Sequence, residues 1–109
     1  MTDLLQSFKD RCEEYGRGRT SGSWGTAREN QLLSSCTKAF EALVEQDVDI
    51  SELFYADSEF VRYIAAVNAI QLNLHQDISE RVVLEIRDAK SPGEMASLAY
   101  LVAIHFGFG

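Results

Sequence analysis

Apolar residues recur along this chain every three or four positions, the spacing of one helical face. No segment alternates with period two for long enough to make a strand. The clearest stripe is Leu32, Leu33, Cys36, Ala39, Phe40, Leu43 and Val44, which predicts a helix beginning at Thr26 and ending near Gln46 or Asp47. Thr26 and Glu29 have the spacing of a capping box at its start. An earlier stripe, Leu4, Leu5, Phe8, Cys12 and Tyr15, predicts a first helix over 2–15, stopped by Gly16. Asp49 and Glu52 open a short helix through Phe54 or Tyr55. A fourth helix runs from Ser58 to about Leu72. Asp77 and Glu80 cap a fifth, striped by Ile78, Val82, Val83 and Ile86. Ser91, Pro92 and Glu94 start a sixth, with proline at the first helical position. That last helix is apolar on nearly every face, which predicts that it is buried or dimerised.

The fourth and sixth helices echo each other at a shift of 34 positions. Asp57 and Ser58 correspond to Ser91 and Pro92. Val61, Ile64, Ala65, Ala69 and Ile70 correspond to Met95, Leu98, Ala99, Ala103 and Ile104. Self-similarity at this period marks helical repeats that bury their faces on their neighbours. Ala65 and Ala69 are small enough to let another helix approach closely. The pattern therefore predicts two alanine-bearing helices nested side by side. Arg62, one turn into the fourth helix, is expected to lay its stem on the domain and bridge a carboxylate or a helix end.

Composition narrows the class. With 46% hydrophobic residues and one proline in 109 residues, the chain is expected to fold as one domain over 1–109. Residues 1–25 would supply an N-terminal helix and a glycine-rich loop, and 26–109 the helical repeat core. Cys12 and Cys36 both fall on core stripes and read as buried thiols of a reducing compartment. No signal peptide pattern opens the chain, and the apolar run 95–106 is too short to span a bilayer. The expectation is a cytoplasmic protein without a membrane partner.

Charge is uneven. The net charge is −7, and residues 31–59 carry one base, Lys38, against seven acids, so this segment holds −6 of it. An acidic surface argues against nucleic acid, whose phosphates need a basic footprint. Glu41 and Glu45 stand four apart on a helix, where like charges repel by about 0.2–0.5 kcal/mol. A surface that keeps such repulsion suits a cationic partner; ordinary solvation of a helix end is the alternative. One local exception is 16–25, GRGRTSGSWG, where Arg17, Arg19 and Trp24 on a flexible loop offer an anion or nucleic-acid binder.

Catalytic constellations are missing from the pattern. His75 and His105 are 30 apart, and neither cysteine has a second ligand nearby, so no metal or cofactor is expected. No phosphate-binding loop, dinucleotide glycine motif or GxSxG occurs. Enzymatic activity is not expected.

The segment LFYADSEFVRYIAAVNAI resembles a HEAT-like repeat, with the apolar pair Leu53 and Phe54, the acidic Asp57, Val61 with Arg62, and the pair Ala65 and Ala66. Residues 12–107 resemble a bacterial family of small HEAT-like domains of unknown function. That family has a glycine-containing stretch before a helix bearing asparagine, here Gly25 and Asn30, then the valine-arginine helix and a final apolar helix. In the second copy Ala96 replaces the arginine. The resemblance implies an all-α fold of about six helices in a short right-handed α-α superhelix. Members resemble candidate immunity proteins encoded beside bacterial toxins.

Together these readings give three alternatives. The first is a non-catalytic protein-binding module, in the form of an immunity protein, taking a basic toxin domain on an acidic surface. Its contact residues would be Glu41, Glu45, Asp47, Asp49, Glu52, Tyr55, Asp57 and Tyr63, with Trp24 as a further aromatic anchor. The second is a structural or regulatory helical module that forms a homodimer through its C-terminal helix. The third is the Arg17, Arg19 and Trp24 loop binding an anion or nucleic acid.

Overall fold

The computed structural model describes residues 3–21, 25–90, 93 and 95–108. They form helices and no strand. The α-helices are α1 (Leu4–Ser21), α2 (Thr26–Glu45), α3 (Glu59–Gln71), α4 (Gln76–Arg87) and α5 (Ala96–Phe106). The third of the six expected helices is a 3-10 turn, Ser51–Tyr55. Two compact units emerge, Met1–Glu52 and Leu53–Gly109.

The first unit is built on α1 packed against α2. Their facing stripes bury Phe8, Cys12 and Tyr15 against Leu32, Cys36, Phe40 and Leu43. The Phe8 and Phe40 rings lie tilted at 5.7 Å. Full burial of one such side chain contributes about 1.5–3 kcal/mol. α1 does not stop at Gly16, as the glycine suggested, but continues to Ser21 with Gly16 and Gly18 buried. A mid-helix glycine costs about 1 kcal/mol of propensity, and here tertiary contacts offset it. Arg19, one turn beyond Tyr15, donates to Glu29 Oε1 of α2 at 2.8 Å, and Tyr15 Oη donates to the same oxygen at 3.1 Å. Glu29 is therefore committed to α1 and not to a capping box. The N-cap of α2 is Gly25, which makes no side-chain capping bond. α1 and α2 thus pack together in one compact unit.

In the second unit α3 packs on α4, and α4 on α5. The two alanine-bearing helices each pack extensively on α4 instead of nesting together. Ser58 caps α3, accepting from the Val61 N–H at 3.4 Å. Arg62 donates to the carbonyls of Ala56 and Asp57 at 2.6 and 2.9 Å, tying down the turn that leads into α3. Ala65 and Ala69 are fully buried. α4 begins one residue before Asp77. Its N-cap is His75, in a left-handed conformation with φ 43°, and the ring of His75 lies 5.7 Å from that of Phe54. The buried stripe of α4 includes Ser79 alongside Val82, Val83 and Ile86, while Ile78 is half-buried.

Ser91, Pro92 and Glu94 lie outside the described residues, and so does the capping box placed on them. The start of α5 is held from elsewhere. Glu59 Oε1, in the first turn of α3, accepts from the Met95 N–H at 2.7 Å. That carboxylate lies over Gly93, where a Cβ would overlap Oε2 and sit 2.8 Å from Cδ. At its other end, α5 stops at Gly107, whose φ of 76° a side chain would resist. The Phe108 N–H then closes on the Ala103 carbonyl at 3.0 Å.

Candidate functional site

The acidic contact residues fall mainly at the C-terminal end of α2 and in the loop after it. Glu41 and Glu45 are exposed one turn apart, and α2 has no basic residue in its last turn. The carbonyl end of a helix carries partial negative charge, so Glu45 faces a like-charged neighbour and a like-signed dipole end. Asp47 follows in a left-handed conformation with φ 54°, and its side chain is exposed. Asp49 is exposed and turns its Oδ1 to the N–H and hydroxyl of Ser51, opening the 3-10 turn. Glu52 reaches Lys9 of α1 at 3.6 Å. No ion pair answers Glu41, Glu45 or Asp47 among the described residues. Within the second unit, Tyr55 is 69% exposed and Asp57 is also exposed. Tyr63 is 9% exposed, so it belongs to the interior and offers a partner no anchor. Its place in α3, beside Ile64 and Ala65, is the reason: that helix is buried around most of its circumference.

The arginine-glycine loop is different from its expected form. Arg17 and Arg19 lie on α1, and the Arg19 guanidinium is engaged by Glu29. Trp24 lies outside the described residues. Burial pushes the Tyr15 phenol up to about 12, with Glu29 acting in the same direction and Arg19 opposing. Cys12 and Cys36 are free thiols with no exposed surface. Their pairing, and then burial, push the Cys12 thiol up, while the same pairing draws the Cys36 thiol down against its burial.

An open groove of about 800 Å³ runs along α1 and α2. Its ionisable lining is Asp3, Asp10 and Glu14 against Arg11, Arg17 and Arg28, which favours neither sign of ligand. Arg11 donates to Ser35, and Arg28 reaches Glu14 at 3.4 Å. No group of His, Cys, Asp and Glu suited to a metal ion occurs among the described residues. No helix among them is long and apolar enough to cross a membrane.

Sequence reasoning missed two features. One is the Glu59 cap on α5, which joins positions 36 apart in the chain and leaves no local signal. The other is the exposed half of α5. Only Met95, Ala99 and Ala103 of this segment are buried, while Tyr100, Leu101 and Ile104 are 55–61% exposed. A helix apolar on all sides conceals which side faces out.

Scans of protein-family models, curated proteins and solved structures find no match to this chain.

Proposed function

We propose that this chain is a non-catalytic protein-binding module that receives a cationic protein domain on the acidic end of α2. The observation that carries the reading is Glu41, Glu45 and Asp47 exposed together at the negative end of a helix dipole, without a basic neighbour in the last turn. The Glu41–Glu45 repulsion costs about 0.2–0.5 kcal/mol. A carboxylate at a helix C-terminus costs a further 0.3–1 kcal/mol or so. A partner presenting lysines or arginines reverses the sign of both terms, and its approach is accelerated by the same field. Asp49 and Glu52 extend the surface, held in place by Ser51 and Lys9.

A basic toxin domain is one such partner, and the HEAT-like and immunity-protein resemblance makes it the first to try. Co-purification with the product of the adjacent reading frame tests the proposal. The expected result is a complex whose affinity falls at least tenfold in Glu41→Lys/Glu45→Lys/Asp47→Lys and weakens as salt rises. A complex indifferent to both changes, or the absence of a complex, overturns it.

A further inference from the structure

We propose that Cys12 and Cys36 are a reversible oxidation site, a thiol pair that hydrogen peroxide converts to a disulfide joining α1 to α2. The register of the two helices puts them together. Along α1, Phe8, Arg11 and Tyr15 meet Phe40, Ser35 and Glu29 of α2, so the helices run antiparallel. Cys12 stands one turn beyond Phe8, and Cys36 one turn before Phe40, on the same inward faces. The register that brings the Phe8 and Phe40 rings to 5.7 Å therefore sets the two thiols opposite each other. Both are free, and neither has exposed surface. Each is also the largest influence on the other's proton, as two sulfurs in contact must be.

The pair is asymmetric. Contact with Cys12 draws Cys36 down against its burial, and the Arg11 guanidinium, which donates to the adjacent Ser35, acts in the same direction as Cys12. Contact with Cys36, and then burial, pushes Cys12 up. Cys36 is thus the sulfur that reacts first, as its thiolate. It attacks one peroxide oxygen and the O–O bond breaks. The departing hydroxide takes up the proton that Cys36 gave away and becomes water, leaving Cys36 as a sulfenic acid. The Cys12 sulfur then attacks the Cys36 sulfur, the S–O bond breaks, and hydroxide leaves with the Cys12 proton as a second water. Two thiols and one hydrogen peroxide give one disulfide and two waters, with two electrons passing from sulfur to oxygen. An added dithiol reverses the bond by thiol–disulfide exchange.

Burial sets the rate and the product. With no exposed surface, the sulfurs meet peroxide only when α1 and α2 part briefly, so oxidation is slower than at an exposed thiol. The chain has no other cysteine, and each sulfur's partner lies on the neighbouring helix, so the bond forms within one chain. It closes a loop over 12–36, which restricts the unfolded chain and stabilises the α1–α2 pair.

Treating the full chain with hydrogen peroxide tests this. After denaturation and alkylation with iodoacetamide, the expected product is a monomer that carries no alkyl group and has lost the mass of two hydrogen atoms. Trypsin then releases peptides 12–17 and 29–38 joined through their cysteines. The disulfide raises the urea midpoint by about 1 M or more, and dithiothreitol restores the lower midpoint and both alkylatable thiols. In Cys12→Ala, which lacks the second thiol, oxidation stops at a Cys36 sulfenic acid that dimedone traps. Two alkylated cysteines after peroxide overturn the proposal. So does a disulfide formed only between chains, or sulfinic and sulfonic acids in place of the joined peptides. Lysine substitution at Glu41, Glu45 and Asp47 leaves disulfide formation unchanged, which separates its fate from that of the acidic surface.

Discussion

Removing the Glu59 carboxylate tests whether α5 is held at its start by α3. Glu59 Oε1 lies 2.7 Å from the Met95 nitrogen, short for an N–H···O bond and typical of a charged acceptor. A hydrogen bond to a charged group contributes about 1.5–3 kcal/mol. A carboxylate beside a helix N-terminus adds roughly 0.3–1 kcal/mol from the dipole. Partial exposure of the site discounts both, so Glu59→Ala is expected to cost about 2 kcal/mol. Glu59→Gln keeps an acceptor but loses the charge and should cost about half as much. Gly93→Ala approaches the same contact from the other side, because its new Cβ would overlap Glu59 Oε2 and drive the carboxylate away. Its cost is thus the lost cap, and it should be almost neutral once Glu59 is alanine. The double-mutant cycle then gives a coupling of 1 kcal/mol or more, far above the ~0.3–0.5 kcal/mol scatter of independent sites. Urea unfolding monitored by circular dichroism gives the stabilities, and amide hydrogen exchange locates the change in the first turn of α5, at Met95 and Ala99. Additive costs for the two substitutions, or unchanged exchange at those amides in Glu59→Ala, would refute the capping argument.

Two further outcomes follow from buried polar groups. Tyr15 holds its phenol proton above the ordinary value of 10.0, up to about 12, so its contribution to stability is complete below pH 10. That contribution is lost as pH climbs from 10 towards 12, by about 1.4 kcal/mol per unit. Denaturation of the protein and of Tyr15→Phe across this interval should show the steeper decline only in the former; parallel slopes would contradict the assignment. Ser79 is fully buried and its hydroxyl finds no hydrogen-bond partner among the described residues. Since an unmet buried polar group costs about 1–3 kcal/mol, Ser79→Ala should raise the urea midpoint, and a lowered midpoint would reveal a bond that the hydroxyl makes.

Helical periodicity alone determined that the chain is all-α, placed α2 and α3 within a residue or two of their observed ends, and put Cys12, Cys36, Phe40, Ala65 and Ala69 in the interior. These features are local: a stripe of side chains at helical spacing acts over a few residues. The sequence also placed Glu41, Glu45 and Asp47 in water, because charged side chains at a helix end are costly to bury. Tertiary structure decided what depends on distant partners. It carried α1 through Gly16 by pairing Arg19 and Tyr15 with Glu29, a gain that outweighs glycine's low propensity. It turned Tyr63 inward and replaced a local cap on α5 with Glu59. It set both alanine-bearing helices on α4, and it left the Tyr100, Leu101 and Ile104 side of a uniformly apolar helix exposed. No period in the sequence can choose between two equally apolar faces; only the helix packed against one of them does.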